Sequence, residues 1–294
     1  MNLARMLLPA IGVLLLGACS MVRLGYGHLD TAATWMAHDY FDLDAEQRDH
    51  FARRITRLHA WHRNEELPDY AHFLKEVQSR AQRGLQTQDM LWLVDGFKQR
   101  YARIAARGAP DAADLLATLS SEQITAFRRQ IDRDNRRFLD ENRTEGSLAE
   151  RRRAMERRTL SQLRDWVGSL SEVQETRAVA LLQQVPLTDG LRHEERLRRQ
   201  REFLALLELR HSERRAFAQR LRHWLEHWEA GRGAEQARQF DASWRKRAEF
   251  YAAMDRTFTA EQRRHLVHRL QDFIDDFQQL AGRPPAATAA AELK

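Results

Sequence analysis

The sequence predicts an all-α fold, a bundle of about ten amphipathic helices behind a lipoprotein signal peptide. Three observations carry that prediction. Apolar residues recur at three- and four-residue spacing nearly throughout, from Leu29, Ala33, Met36 and Tyr40 to Leu266, Leu270, Phe273, Phe277 and Leu280. Only six prolines and thirteen glycines interrupt 294 residues, so the helices run long. No window alternates apolar and polar residues long enough for a strand.

The first element is the export signal. Arg5 precedes an uncharged apolar run, Met6–Leu16. That run is shorter than the roughly 20 residues that span a bilayer and suits the apolar part of a signal peptide. Leu16-Gly17-Ala18-Cys19 reads as a lipobox, which makes residues 1–18 the signal peptide and Cys19 the lipid-bearing N-terminus. The alternative is an ordinary cleaved signal with an incidental cysteine. Cys19 is the single cysteine, so no disulfide forms within one chain and stability must come from packing. Ser20 stands where an aspartate favours inner-membrane retention in Gram-negative lipoproteins, and resemblance to that rule implies the outer membrane, periplasmic face. Residues 19–27 read as a lipidated tether. Residues 28–281 form the helical domain, divisible into two lobes by a break near 186–190. Residues 282–294, Pro- and Ala-rich, read as a disordered tail.

The helices follow in order. Asp44 and Gln47 open the second, with the stripe Phe51, Ile55, Leu58, His62. Pro68 is expected to break or kink it. Tyr70, Phe73, Leu74 and Val77 continue to Gly84. Thr87 is the expected cap of a helix carrying Met90, Leu93, Val94, Phe97, Tyr101 and Ile104, with Gly108-Ala109-Pro110 read as a turn. Ser120 opens the helix of Ile124, Phe127, Ile131 and Phe138; Ser147 that of Met155, Leu163 and Trp166; Ser171 a short one ending near Pro186. Leu197, Leu204 and Leu207 mark the next. Phe217, Leu221, Trp224 and Trp228 lead to a break at Gly231-Arg232-Gly233, followed by Phe240, Trp244, Tyr251 and Met254 and then the last helix.

Four helix starts share one pattern: Leu43-Asp44-Ala45-Glu46-Gln47, Leu119-Ser120-Ser121-Glu122-Gln123, Leu170-Ser171-Glu172-Val173-Gln174 and Phe258-Thr259-Ala260-Glu261-Gln262. The cap oxygen accepts an orphan backbone N–H, the Gln reaches back to the cap's own N–H, and the acid complements the helix dipole. Their spacing has no fixed period, so the chain is not a solenoid array. The pattern resembles the Leu-Thr-x-x-Gln motif of small Spy-like periplasmic chaperones, which implies a helical, client-cradling body; the simpler reading is common helix capping, which produces the same pattern. Across the chain, the lipobox, Arg23-Leu24-Gly25-Tyr26, Asp39-Tyr40-Phe41-Asp42-Leu43-Asp44, the segment Leu58–Ala71, Asp134-Asn135-Arg136 and Phe258–Gln262 resemble an uncharacterised family of proteobacterial lipoproteins with a domain of unknown function. That resemblance implies helices and an outer-membrane address, and assigns no activity.

The formal net charge is +6, almost all of it written in arginine. In an exported protein this charge meets anionic lipid headgroups or phosphate-bearing glycolipid rather than nucleic acid. The interleaved Asp and Glu also fit plain solvated helix faces. His59, Trp61, His62, Glu65 and Glu66 form the densest group of chemistry-bearing side chains. His59 and His62 stand at a spacing that places them on one helix face, and His223/His227 and His265/His268 repeat the theme. No zinc-hydrolase, di-iron, nucleophile-elbow or phosphate-loop motif accompanies them. Asp134 falls on the apolar stripe of its helix, where a carboxylate needs a partner, and an arginine is expected there. The expected protein is a non-enzymatic binding, scaffolding or chaperone-like lipoprotein with no cofactor, metal or nucleic-acid partner and no catalytic residue. Its membrane contact is the Cys19 lipid, and it takes a protein client or envelope lipid. Candidate binding residues are His59, Trp61, His62, Glu66 and Asp134, and Trp35, Trp61, Trp92 and Trp244 are candidate groove linings. The alternative is a metal-binding envelope enzyme or sensor using the His pairs.

Overall fold

The computed structural model describes residues 22, 23 and 25–282, and its elements are all helical. The signal peptide, Cys19, Ser20 and the tail beyond Gly282 lie outside the described residues. The helices are α1 (Leu29–Phe41), α2 (Ala45–Trp61), a π-helical turn (His62–Glu66), α3 (Leu67–Arg83), α4 (Thr87–Leu116), α5 (Ser121–Asn142), α6 (Leu148–Val167), α7 (Glu172–Leu182), α8 (Asp189–Glu208), α9 (Arg214–Glu226), α10 (Ala234–Asp255) and α11 (Ala260–Ala281).

The 30-residue α4 is the spine. At about 1.5 Å per residue it runs about 45 Å. α9 and α10 lie antiparallel along it, tied by Arg214–Asp114 (3.6 Å), Lys98–Glu229 (3.0 Å) and the Leu85 N–H donating to Asp255 (3.0 Å). The expected turn at Gly108-Ala109-Pro110 is absent: α4 passes straight through it. Pro110 forfeits one helical hydrogen bond, but Ala109 and Ala113 are buried and Leu58 of α2 rests on the bare face of Gly108. Packing on both sides holds the helix through the proline. The N-cap is Gln86 rather than Thr87; Asp89 accepts its N–H at 2.9 Å. Gly96 has a separate task. The Phe73 ring of α3 occupies the space that a Cβ at residue 96 would fill, at 2.4 Å, and the Arg100 guanidinium covers the ring 3.8 Å from its centre.

Pro68 neither breaks the helix nor ends it. α2 runs through the π turn into α3, with the Leu67 N–H reaching back five residues to the His62 carbonyl. The wider turn sits directly before Pro68, where an ordinary α-helix would press the ring on the carbonyl four residues back. Part of the stretch expected as tether is described. Residues 22, 23 and 25–27 are helical, and Arg23 and Tyr26 dock on the body. Arg23 pairs with Asp276 of α11 at 3.0 Å, and the Tyr26 hydroxyl shares a 2.8 Å hydrogen bond with His62 Nδ1.

Apolar stripes close three buried clusters. One joins Leu43, Leu116, Leu119 and Phe127 to Leu207, Phe217 and Leu221; another joins Met155, Leu163 and Leu182 to Phe250 and Met254; the third joins Phe73 and Val77 to Val167, Leu266 and Leu270. Each draws on helices from both sides of residues 186–190.

The four similar helix starts meet in two pairs. At each, the N3 glutamine accepts the N-cap N–H, as a capping box requires. Its NH₂ group has two protons, and both are spent on the partner start. Gln47 donates to Gln123 Oε1 (3.2 Å) and to the Thr118 carbonyl (3.1 Å), while Gln123 donates to Gln47 Oε1 (2.6 Å) and to the Asp42 carbonyl (2.9 Å). Gln174 and Gln262 repeat the arrangement, donating to each other (2.8 and 2.9 Å) and to the Thr257 and Ser169 carbonyls (2.9 and 2.7 Å). In every case the carbonyl belongs to the residue two before the partner's cap. All four amides are thereby saturated as donors and acceptors. The joints α2/α5 and α7/α11 are therefore built alike.

Candidate functional site

The predicted group at residues 59–66 is brought together around the π turn. π turns inside α-helices occur often at functional positions. Glu66 is buried, 3% exposed, and accepts two bonds from Arg103 of α4, at 2.9 and 2.7 Å. Arg103 also reaches Asp69 at 2.7 Å, and Arg100 reaches Asp69 at 2.8 Å. The Glu66 bond, with Asp69 beside it, holds the Arg103 guanidinium well above the usual arginine range. This network clamps the π turn to α4.

On the other side Tyr26 covers the histidines. Its ring centre lies 4.6 Å from that of His59 and 5.8 Å from that of His62, and Tyr70 meets His62 edge-on at 5.3 Å. Burial pushes both tyrosine hydroxyls up to about 12, against the pull of Arg63 at Tyr26, and at Tyr70 with Glu66 adding to the rise and Arg103 and Arg100 opposing it. Burial depresses both imidazoles, aided at His59 by the Arg63 cation and opposed at His62 by Glu66. Both are neutral near pH 7. Nε2 of His59 is buried without a hydrogen-bond partner. Trp61 stands at the edge of this group, half-buried, 5.8 Å from Arg107. The chemistry this arrangement supports is orientation: the two imidazoles seat Tyr26 of the N-terminal segment on α2 and the π turn, and the Glu66 carboxylate ties that turn to α4.

Asp134 lies apart, between α5 and α1. Its near partner is Tyr40, whose hydroxyl donates to Oδ2; the bond raises the Tyr40 hydroxyl above its ordinary range. The expected arginine is present only as exposed Arg137 at 3.8 Å, one turn along the same helix. A phenol supplies what a guanidinium was expected to supply, because α1 places Tyr40 across from the apolar face of α5.

Among the described residues no three His, Cys, Asp or Glu side chains converge on one point that would hold a metal ion. His223 and His227 stack at 4.4 Å, His265 shares a 3.0 Å bond with the Trp166 carbonyl, and His268 lies 3.7 Å from Asp272. Among the described residues no helix is long and apolar enough to cross a membrane.

Two hollows were not visible in the sequence. One, about 350 Å³, is enclosed by α3, α4, α6, α10 and α11, with Leu74, Val77, Leu93, Trp92, Trp166 and Phe258 on its walls. Phe97 stands half-exposed on its lining, and the Arg80–Asp89 pair (2.6 Å) also borders it. The other, about 540 Å³, opens between α1, α2, α4, α5, α8 and α9. Of the tryptophans named from sequence, Trp92 lines the first hollow, Trp35 is two-thirds exposed on α1, and Trp61 and Trp244 line neither. Helical stripes announce an apolar interior, and give no sign of whether side chains fill it.

The molecule is thus an all-helical protein with apolar hollows and a docked N-terminal segment. It belongs to a family of unknown function (DUF6279), whose match covers residues 39–233. No curated protein and no solved structure matches the chain. The family match ends before α10, so it contains Gln174 and excludes its partner Gln262.

Proposed function

We propose that this protein is a non-enzymatic binding or scaffolding lipoprotein, anchored through Cys19 at the periplasmic face of the outer membrane. The observation that carries the binding reading is the 350 Å³ hollow, walled by leucine and tryptophan. Its size falls at the lower end of the roughly 300–1,000 Å³ of small-molecule sites. Apolar walls favour an apolar guest, the acyl part of an envelope molecule or an apolar segment of a client protein. The anchor reading rests on the lipobox and gains a geometric consequence. Arg23 is fastened to α11, and Cys19 is four residues away, so the lipid lies within about 14 Å of the folded body. The body is held against the membrane rather than on a long leash.

Two experiments test this. Labelled palmitate is expected in the wild type and absent from an uncleaved Cys19→Ala variant; normal maturation of that variant removes the anchor. Crosslinking in intact envelopes is expected to trap one recurrent client or lipid, and Leu93→Trp, which fills the hollow, is expected to abolish the adduct. An adduct on α3, α4, α6, α10 or α11 that is indifferent to Leu93→Trp, or no adduct at all, removes the reading of this hollow as a binding site.

A further inference from the structure

We infer that the larger hollow, between α1, α5, α8 and α9, holds the chain of a long-chain carboxylate whose head meets Arg196 and Arg199. This goes beyond the reading above, because it concerns a second hollow that shares no lining residue with the first. The floor is a run of touching rings, stacked at its two ends and edge-on in the middle. Phe41 faces Phe127 at 4.7 Å, Phe127 meets Phe203 at 5.5 Å, and Phe203 stacks on Trp224 at 5.1 Å. Leu116 and Leu221, both buried, complete it.

The two cations at the rim make no direct ion pair among the described residues; Arg199 feels Glu202 and Glu195 only at a distance. α8 carries Arg196, Arg198 and Arg199, and they divide by face. Arg198, together with Arg232, is bonded to Glu195, and Arg198 also binds Glu202. Arg196 and Arg199 line the hollow and enter no ion pair among the described residues. Arg196 donates to the Asn135 side-chain oxygen at 2.6 Å. Arg199 lies 3.6 Å over the Trp224 ring and donates to the Trp224 carbonyl at 2.9 Å. Those contacts fix the two guanidinium planes and leave further N–H donors on each. Desolvating a cation without an anion is costly, and a carboxylate is the group whose geometry matches a guanidinium fork. Nearby acids are already engaged: Asp134 by Tyr40, and Glu202 by Arg198 and the Trp224 indole N–H. An anion above apolar rings describes the head and chain of a fatty acid.

The test uses the full lipidated chain in isolated envelopes free of ATP and coenzyme A. The probes are a clickable diazirine dodecanoate and the matching dodecanol, with photoadducts mapped by peptide mass spectrometry. Dodecanoate is expected to label α5, α8 or α9 saturably, and dodecanol at least tenfold less. Arg196→Gln/Arg199→Gln is expected to remove the preference with an unchanged melting temperature, and Arg196→Lys/Arg199→Lys to retain it. If the glutamine variant unfolds, the lysine variant and the acid-against-alcohol comparison still decide. Equal labelling by the alcohol, or labelling confined to α3, α4 and α11, overturns the inference and leaves the binding reading standing. Absence of any adduct overturns the inference, while the envelope crosslinks judge the broader reading separately.

Discussion

Gln174 and Gln262 exchange two amide hydrogen bonds, at 2.8 and 2.9 Å, across the joint between α7 and α11. Both are buried. Gln174→Ala strips Gln262 of one donor and one acceptor partner and removes its own capping box. The expected loss is about 2 kcal/mol, the usual cost of leaving a buried polar group unmatched. Gln262→Ala is expected to cost about as much, and the double variant less than the sum, because the second change removes a group already orphaned. Denaturant melts of the four proteins measure it; strict additivity would show that the two amides do not cooperate.

The Glu66–Arg103 clamp is asymmetric. Glu66 is 3% exposed, whereas the Arg103 side chain is 43% exposed. Arg103→Ala leaves a carboxylate buried without its cation, and is expected to cost about 3 kcal/mol. Glu66→Gln leaves an arginine that reaches water and Asp69, and is expected to cost about 1 kcal/mol. Equal losses in chemical melts would contradict this account.

Gly96→Ala would ordinarily stabilise a helix by up to about 1 kcal/mol. Here the added methyl meets the Phe73 ring at 2.4 Å. The expected sign is reversed, with a loss of about 2 kcal/mol from displaced core packing. Gly96→Ala/Phe73→Leu is expected to regain part of it, a comparison that thermal melts resolve.

His59 and His62 have folded pKa values below the unfolded ~6.5. The unfolded chain therefore takes up protons first as pH falls, and stability rises with pH. The stability that these neutral rings contribute is full above that unfolded value and declines as pH falls toward their folded values. The melting temperature at pH 5 is expected to lie below that at pH 7.5, and His59→Gln/His62→Gln to flatten the difference. An unchanged slope in that variant would place the pH response elsewhere.

Residues 39–233 match the family, yet that stretch is expected not to fold alone. α11 lies along α3, where Gln78 donates to the Val267 carbonyl at 3.0 Å and Phe73 and Val77 share a core with Leu266 and Leu270. Asp255, 2% exposed, fastens the Leu85 N–H and Arg263 at the end of α3. A chain stopped after Gly233 is expected to lose its cooperative melt; a sharp transition would show that α10 and α11 are accessory.

The helix starts at Asp44, Ser120, Ser147, Ser171 and Thr259 were legible in the sequence because capping is local: the side chain and the N–H it satisfies are three residues apart. The stripes that close the core were legible for the same reason. Asp134 was recognisable as a carboxylate needing a partner, but the partner was Tyr40, 94 residues away. The residues around Glu66 were found by their density, while Arg103 and Tyr26 were not, since nothing near them in the chain marks them as neighbours.

By itself, then, the sequence determined the helical class, the capped helix starts and the apolar faces, all set within one or two turns of chain. Tertiary structure alone decided that four similar starts join as two pairs, 76 and 88 residues apart. It also carried α4 through Pro110, docked Tyr26 on the histidines, and left two hollows where stripes from distant helices do not meet. The reason is physical: a cap is satisfied by its own turn, whereas a second amide proton, a proline's missing bond and a cavity wall are answered only by whatever segment the fold brings alongside.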